Sequence, residues 1–266
     1  MSQPNPAEKS RLIKLTKQSL HYLHRKRTSL YLKQTDLDHL KVKWVGIDVD
    51  NGTPDASQKF WDLYPLDQMK AIAEKQNLDE DNVLILSNEP SFAWYCAANL
   101  GRVYNAWLDT LEYPPELEVV PKSWPWIKSP CGKYHFVGQI AVQWRLIFCL
   151  RSCGLSQPNI TGYLANLAPF KPGQPLISEL ICVLGKSISV WEHDKDGKHS
   201  IVPVTIVSVS GRLGRIVQGY VNPSTGEVIM RISETVRMGN DKEKNKEVIL
   251  KFGCWLFGSP SEETTS

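Results

Sequence analysis

His199–Arg237 reads HSIVPVTIVSVSGRLGRIVQGYVNPSTGEVIMRISETVR. β-Branched residues crowd the segments 199–209, 214–221 and 227–237, and glycine, proline or asparagine separates them, which is how short strands are written. Asn222-Pro-Ser-Thr-Gly226 reads as a hairpin turn, because glycine supplies the positive φ at which a strand reverses. On either side, 187–193 and 247–257 have the same strand-like character, with Asp194-Lys-Asp-Gly197 as a second hairpin turn and Gly239–Lys246 as a charged loop. Five consecutive strands of this kind predict an antiparallel, barrel-like or strongly twisted sheet.

Upstream, the periodicity is mixed. Residues 7–34 predict a helix, since Leu12, Leu15, Leu20, Leu23 and Leu30 recur at roughly helical spacing after Asn5-Pro6. Val42–Val49 predicts a buried strand that ends in an acidic loop, Asp48–Asp55. Helix 66–77, strand 83–87 (VLILS) and helix 90–100 follow, an alternation expected of a small α/β core. Residues 113–132, rich in Pro, Trp and Lys, read as a loop. Helices at 138–152 and 157–167, the linker Phe170–Pro175 and a further helix to Gly185 form a central helical segment. The expected class is therefore α+β, divided at 1–40, 41–137, 138–185 and 186–257, with 258–266 a polar, disordered tail.

The 266 residues are 42% hydrophobic and 22% charged, which excludes a collagen-like, low-complexity or wholly disordered chain. A net charge of +3 conceals a basic–acidic–basic layout. Residues 1–43 carry +7, residues 44–120 carry −10 and residues 121–266 carry +6, so the two ends suit a polyanion and the middle suits a cation. No apolar run follows the first basic residues, and the most apolar stretch, Phe136–Leu150, is short and contains Gln143 and Arg145. No secretory leader or membrane span is expected, and the six scattered cysteines read as reduced thiols of a cytoplasmic protein.

Two stretches could carry chemistry. In Trp44-Val-Gly-Ile-Asp48-Val-Asp50-Asn51-Gly52, Asp48 and Asp50 share one side of a strand because side chains alternate with period two. Convergent carboxylates of this kind suit Mg or Mn, and Gly46 and Gly52 would admit a phosphate; the same string also fits a polar turn that simply ends a strand. In Ser129-Pro-Cys-Gly132-Lys133-Tyr-His135, a tight turn delivers a Lys and a His, a combination suited to phosphate or to plain solvent.

Together these stretches resemble the archaeo-eukaryotic primase superfamily, especially the primase–polymerases and plasmid replicases of mobile elements, in which Asp-x-Asp at a strand end precedes a Ser-Pro-Ser-Gly-Gly-x-His-like turn. Cys131 and Lys133 depart from that pattern. The resemblance implies metal-dependent nucleotidyl transfer, with Asp48, Asp50 and His135 catalytic, Asp48, Asp50 and Glu192 on the metal, and Ser129, Gly132, Lys133 and His135 on the nucleotide. The Asp pair and VLILS87 also resemble HAD-type phosphatases, but Gly52 stands where that family needs Thr.

Residues 144–167 resemble a helix-turn-helix of the GLSQ type, with Gly154 in the turn and Ser156 as N-cap. That likeness would expose Gln157, Asn159, Thr161 and Tyr163 to DNA, rather than RNA, and would make the chain a replication enzyme or a non-catalytic DNA-binding or assembly factor. The cluster Arg25, Lys26 and Arg27 on the N-terminal helix would add phosphate contacts, and Trp124 and Trp126 could stack on bases.

Overall fold

The computed structural model describes residues 6–26, 31–52, 59–76, 90–108, 117–119, 144–152, 158–172, 174–194 and 199–261. Six helices lie among them: α1 (Pro6–Arg25), α2 (Gln34–His39), α3 (Leu66–Lys75), α4 (Pro90–Leu108), α5 (Ile177–His193) and α6 (Lys242–Phe257). The strands are β1 (Val42–Gly46), β2 (Trp61–Asp62), β3 (Leu117–Val119), β4 (Trp144–Ser152), β5 (Ile160–Asn166), β6 (Val204–Ser210), β7 (Leu213–Val221), β8 (Val228–Ile232), β9 (Val236–Arg237) and β10 (Ser259–Pro260).

One open, mixed sheet runs β1-β8-β7-β6-β5-β4-β3, with β9 continuing alongside β7 and a separate β10–β2 ribbon. β1 is parallel to β8 and β5 to β6; the other neighbours in the main sheet are antiparallel. Helices cover both faces. Val204, Ile206, Val217 and Met230 point to a core shared with α1 and α5, while Val207, Val209 and Ile216 point to a second core shared with α3, α4 and α6. Burial of both faces explains why these strands read as unbroken apolar runs rather than clean alternations.

The class α+β holds, and β6, β7 and β8–β9 match three of the five expected C-terminal strands. The turn between β7 and β8 forms as its residues dictate: Gly226 sits at φ 69° and its N–H donates to the Asn222 carbonyl at 2.8 Å. The barrel does not form, because 187–193 completes α5 and 247–257 lies in α6. Ser187-Ile-Ser-Val190 alternates like a strand, yet the Ser187 hydroxyl donates to the Val183 carbonyl one turn back at 3.0 Å, a satisfaction that only a helix offers. Asp241 starts α6 by accepting the Lys244 N–H at 3.2 Å, and the apolar run to Phe257 is buried in the second core. Asp194–Gly197 therefore follows a helix rather than joining two strands; residues 195–197 lie outside the described residues.

The central helices are also overturned. Residues 144–152 and 160–166 are β4 and β5, paired antiparallel with a register shift between Leu146 and Phe148. Strand 83–87, most of the expected loop 113–132 and the start of the expected helix 138–152 fall outside the described residues, and within that loop 117–119 forms β3 instead. The boundary at 185/186 falls inside α5, and the sheet joins β1 from the 41–137 segment to β6–β8 from 186–257. The expected helix 7–34 ends at Arg25, and the tail is ordered through Ser261, which is buried beside Phe60.

Two polar clusters fix the first layer. At the N-terminus of α5, Glu179 is fully buried and takes a two-pronged ion pair from Arg215, Nε to Oε1 at 3.0 Å and Nη2 to Oε2 at 2.6 Å. Glu179 also accepts the Leu176 N–H, while Arg215 donates to the carbonyls of Lys171 and Gln174 and lies over the Phe170 ring. This knot locks the β5–α5 connection onto the sheet.

At the other end of α1, Asp36 accepts from the Tyr22 hydroxyl and pairs with Lys26 at 3.0 Å. The Tyr22 hydrogen bond, then Lys26, lowers the Asp36 carboxyl from 3.8 to about 2. A depressed carboxyl contributes stability above its unfolded value and loses it as pH falls through the folded value. An acid titration followed by circular dichroism should therefore show stability lost between about pH 4 and 2, and Asp36→Asn should flatten that part of the curve.

Candidate functional site

The Asp-x-Asp stretch leaves the sheet at the end of β1. Asp48 and Asp50 are both exposed. Asp48 Oδ1 accepts the N–H of Asp50 at 2.7 Å and of Asn51 at 3.4 Å, and Oδ2 accepts the Asn51 amide at 3.3 Å. A main-chain bond from Gly52 to the Asp48 carbonyl closes the turn at 3.0 Å. This is the side-chain-closed turn that Asp-Asn-Gly favours. Gly52 adopts φ 73°, a backbone conformation that calls for glycine, although a Cβ there would meet the Trp255 ring only at ordinary contact, 3.4 Å.

Helix α6 holds the turn in place. Trp255 Nε1 donates to the Val49 carbonyl at 2.8 Å, and Lys251 pairs with Asp50 at 2.6 Å. One carboxylate therefore serves the local backbone and the other faces an ammonium. Both remain solvent-accessible at the C-terminal end of a parallel strand, the side of an α/β sheet where ligands gather.

The remaining expected residues are placed differently. Glu192, at the end of α5, pairs with Lys17 of α1 at 2.6 Å, in the helical layer opposite the one that holds the Asp turn. Ser129, Gly132, Lys133 and His135 lie outside the described residues, as do Arg27, Gln157, Trp124 and Trp126. Among the described residues no group of three His, Cys, Asp or Glu side chains gathers to hold a metal ion.

The helix-turn-helix reading is corrected at each described residue. Asn159 is 1% exposed and donates to the Phe60 carbonyl at 2.8 Å; Thr161 is fully buried; Tyr163 is fully buried and donates to the Ala97 carbonyl at 2.7 Å. Burial pushes the Tyr163 hydroxyl well above its usual range. These side chains pack the interior of a sheet and present nothing to a groove. The Phe-Cys-Leu and Tyr-Leu-Ala runs are apolar on both sides because both faces of the sheet are covered, and a short run of that kind has no period to separate strand from helix.

Helix α1 is the part of the expected nucleic-acid surface that is exposed as anticipated. Leu12, Thr16, Leu20 and Leu23 are buried on one side. Arg11, Lys14, Gln18, His21 and Arg25 are exposed. At 100° per residue they form one stripe diametrically opposite the buried side. Lys9, Lys17 and Lys26 are engaged by Asp194, Glu192 and Asp36, whereas Arg11, Lys14, His21 and Arg25 have no acidic partner among the described residues. Of the cluster Arg25, Lys26 and Arg27, then, Arg25 has no acidic partner among the described residues and Lys26 is committed to the fold.

Sequence reasoning missed a buried polar row. Thr161, Thr205, Gln218 and Arg231 lie side by side across β5, β6, β7 and β8, each at most 1% exposed. Gln218 donates to Thr205 at 3.1 Å and accepts from Arg231 at 2.8 Å, and the Arg231 guanidinium lies over the Phe60 ring. Each is a single polar residue within an apolar run, a visible signal, but only strand register brings the four together.

No family model matches this chain. A comparison with curated proteins likewise finds no match. No helix of the described residues is long and apolar enough to cross a membrane.

Proposed function

We propose that this protein binds nucleic acid through the outward stripe of α1, as a non-catalytic binding or assembly factor. The observation that carries the reading is three cationic positions, Arg11, Lys14 and Arg25, with the His21 imidazole beside them, on one exposed helix face without acidic partners among the described residues. Unpaired surface cations aligned on a rigid element release counterions from a phosphate backbone, which is the main source of sequence-independent affinity. The role of the Asp turn in this reading is structural: Asp48 closes it and Lys251 neutralises Asp50.

A second reading keeps the metal-dependent nucleotidyl transfer that the Asp pair suggests. Favouring it is the exposure of both carboxylates at the end of β1. One pair of measurements separates the two. Asp48→Ala/Asp50→Ala should bind DNA at low salt in a chelator as tightly as the wild type, and neither should make primers on single-stranded DNA with Mn²⁺. Manganese-dependent synthesis by the wild type that is lost in the variant would favour the enzyme instead. Absence of DNA binding at low salt would refute the nucleic-acid reading.

A further inference from the structure

We infer that the α1 stripe takes the phosphate backbone of a double strand rather than the bases of a single strand; the inference rests on the nucleic-acid reading above and names its ligand class. From Arg11 to Arg25 the stripe covers fourteen residue steps of helix, about 21 Å at 1.5 Å per residue. A duplex carries one negative charge per about 1.7 Å of axis, so about 21 Å of it holds roughly twelve phosphates over its two strands, about twice the number along either strand alone.

The helix surface matches this ligand in what it presents. Single-strand binding without sequence preference relies on aromatic side chains on which bases stack. The aromatic residue of α1, Tyr22, is half-buried and already engaged: its hydroxyl donates to Asp36 and its ring lies 4.7 Å from that of His39. The stripe itself presents guanidinium, ammonium, imidazole and the Gln18 amide, hydrogen-bond donors suited to phosphate oxygens, with exposed Glu8 and Leu15 at its edge. The stripe is also preformed on one continuous helix. Its buried side is anchored on α5 through the apolar core, and its ends are tied by Lys9 to Asp194 and by Lys26 to Asp36. A rigid row of charges pays little ordering cost against a regular helical rod and more against a flexible strand.

The test uses the full chain and a fluorescent DNA duplex, with the same-sequence single strand and heparin as competitors, across a salt series without divalent cations. Three formal charges, Arg11, Lys14 and Arg25, predict a slope of log K against log salt of about −2.7, a loss of about fortyfold between 50 and 200 mM salt. The triple variant Arg11→Gln/Lys14→Gln/Arg25→Gln should lose that portion of the slope while melting like the wild type, since all three side chains face solvent. An unchanged slope in the triple variant, tighter binding of the single strand, or heparin competing as well as the duplex overturns this inference and leaves nucleic-acid binding elsewhere on the protein standing. Failure to bind either strand form at low salt overturns both.

Discussion

Arg215→Met should destabilise the protein by about 3–5 kcal/mol, the loss expected when one partner of a buried ion pair is removed. The magnitude follows from what is left behind. Glu179 is fully buried, and its carboxylate would keep the Leu176 N–H as a donor but lose both guanidinium bonds. The carbonyls of Lys171 and Gln174 would lose their donor as well. Methionine fills most of the volume and restores none of the charge. The double variant Glu179→Leu/Arg215→Met should recover most of the loss, because apolar replacement of a whole buried pair is often neutral or better. Urea denaturation of the single and double variants reads both numbers. A loss below about 1 kcal/mol for the single variant would mean that the pair is not compensated as its geometry indicates.

Lys186→Met should have the opposite sign and stabilise by about 2 kcal/mol at neutral pH. Lys186 is 1% exposed on α5, among surroundings that include the Cys149 and Cys182 thiols. Burial pushes its ammonium below the usual lysine range, and the thiols only partly offset this. A group whose folded value is lowered must shed its proton or carry a buried charge, a cost present below the folded value that fades as pH rises toward the unfolded value. The gain from methionine should therefore shrink as pH is raised toward 10.5. Thermal melts of the two proteins at neutral and alkaline pH check both the sign and the trend. A destabilised Lys186→Met variant would show that the favourable influence of the neighbouring thiols outweighs desolvation.

Legibility in the sequence varied with how local the deciding interaction was. The β7–β8 hairpin was readable because Asn222 and Gly226 settle it within five residues. Helices α1, α3 and α4 were readable as well, since each keeps an apolar side and a polar side. The centre was not. In Phe148-Cys-Leu150 and Tyr163-Leu-Ala165 both faces are buried, so the pattern that separates a strand from a helix is erased. In Ser187–Val190 the misleading alternation was real, and hydrogen bonds one turn back overrode it. The candidate site divided along the same line. The turn at Asp48–Gly52 was among the readings that the string allowed, but its attachment to Lys251 and Trp255, two hundred residues away, was not contained in it.

By itself the sequence determined the mixed class, the C-terminal hairpin, the strand ending in an Asp turn and the basic character of the first helix. Charge and turn chemistry are properties of neighbouring residues, and they survive whatever fold surrounds them. Tertiary structure alone decided which of those charges are available. Lys9, Lys17 and Lys26 read as equals of Arg11, Lys14 and Arg25, and only the packing of α1 on α5 and α2 turned the first three toward acids and the others toward solvent. Register across the sheet likewise assembled Thr161, Thr205, Gln218 and Arg231 into one row. The physical reason is the same in both cases: a side chain's partner across a layer or a sheet is set by packing, and packing depends on residues far away in the chain.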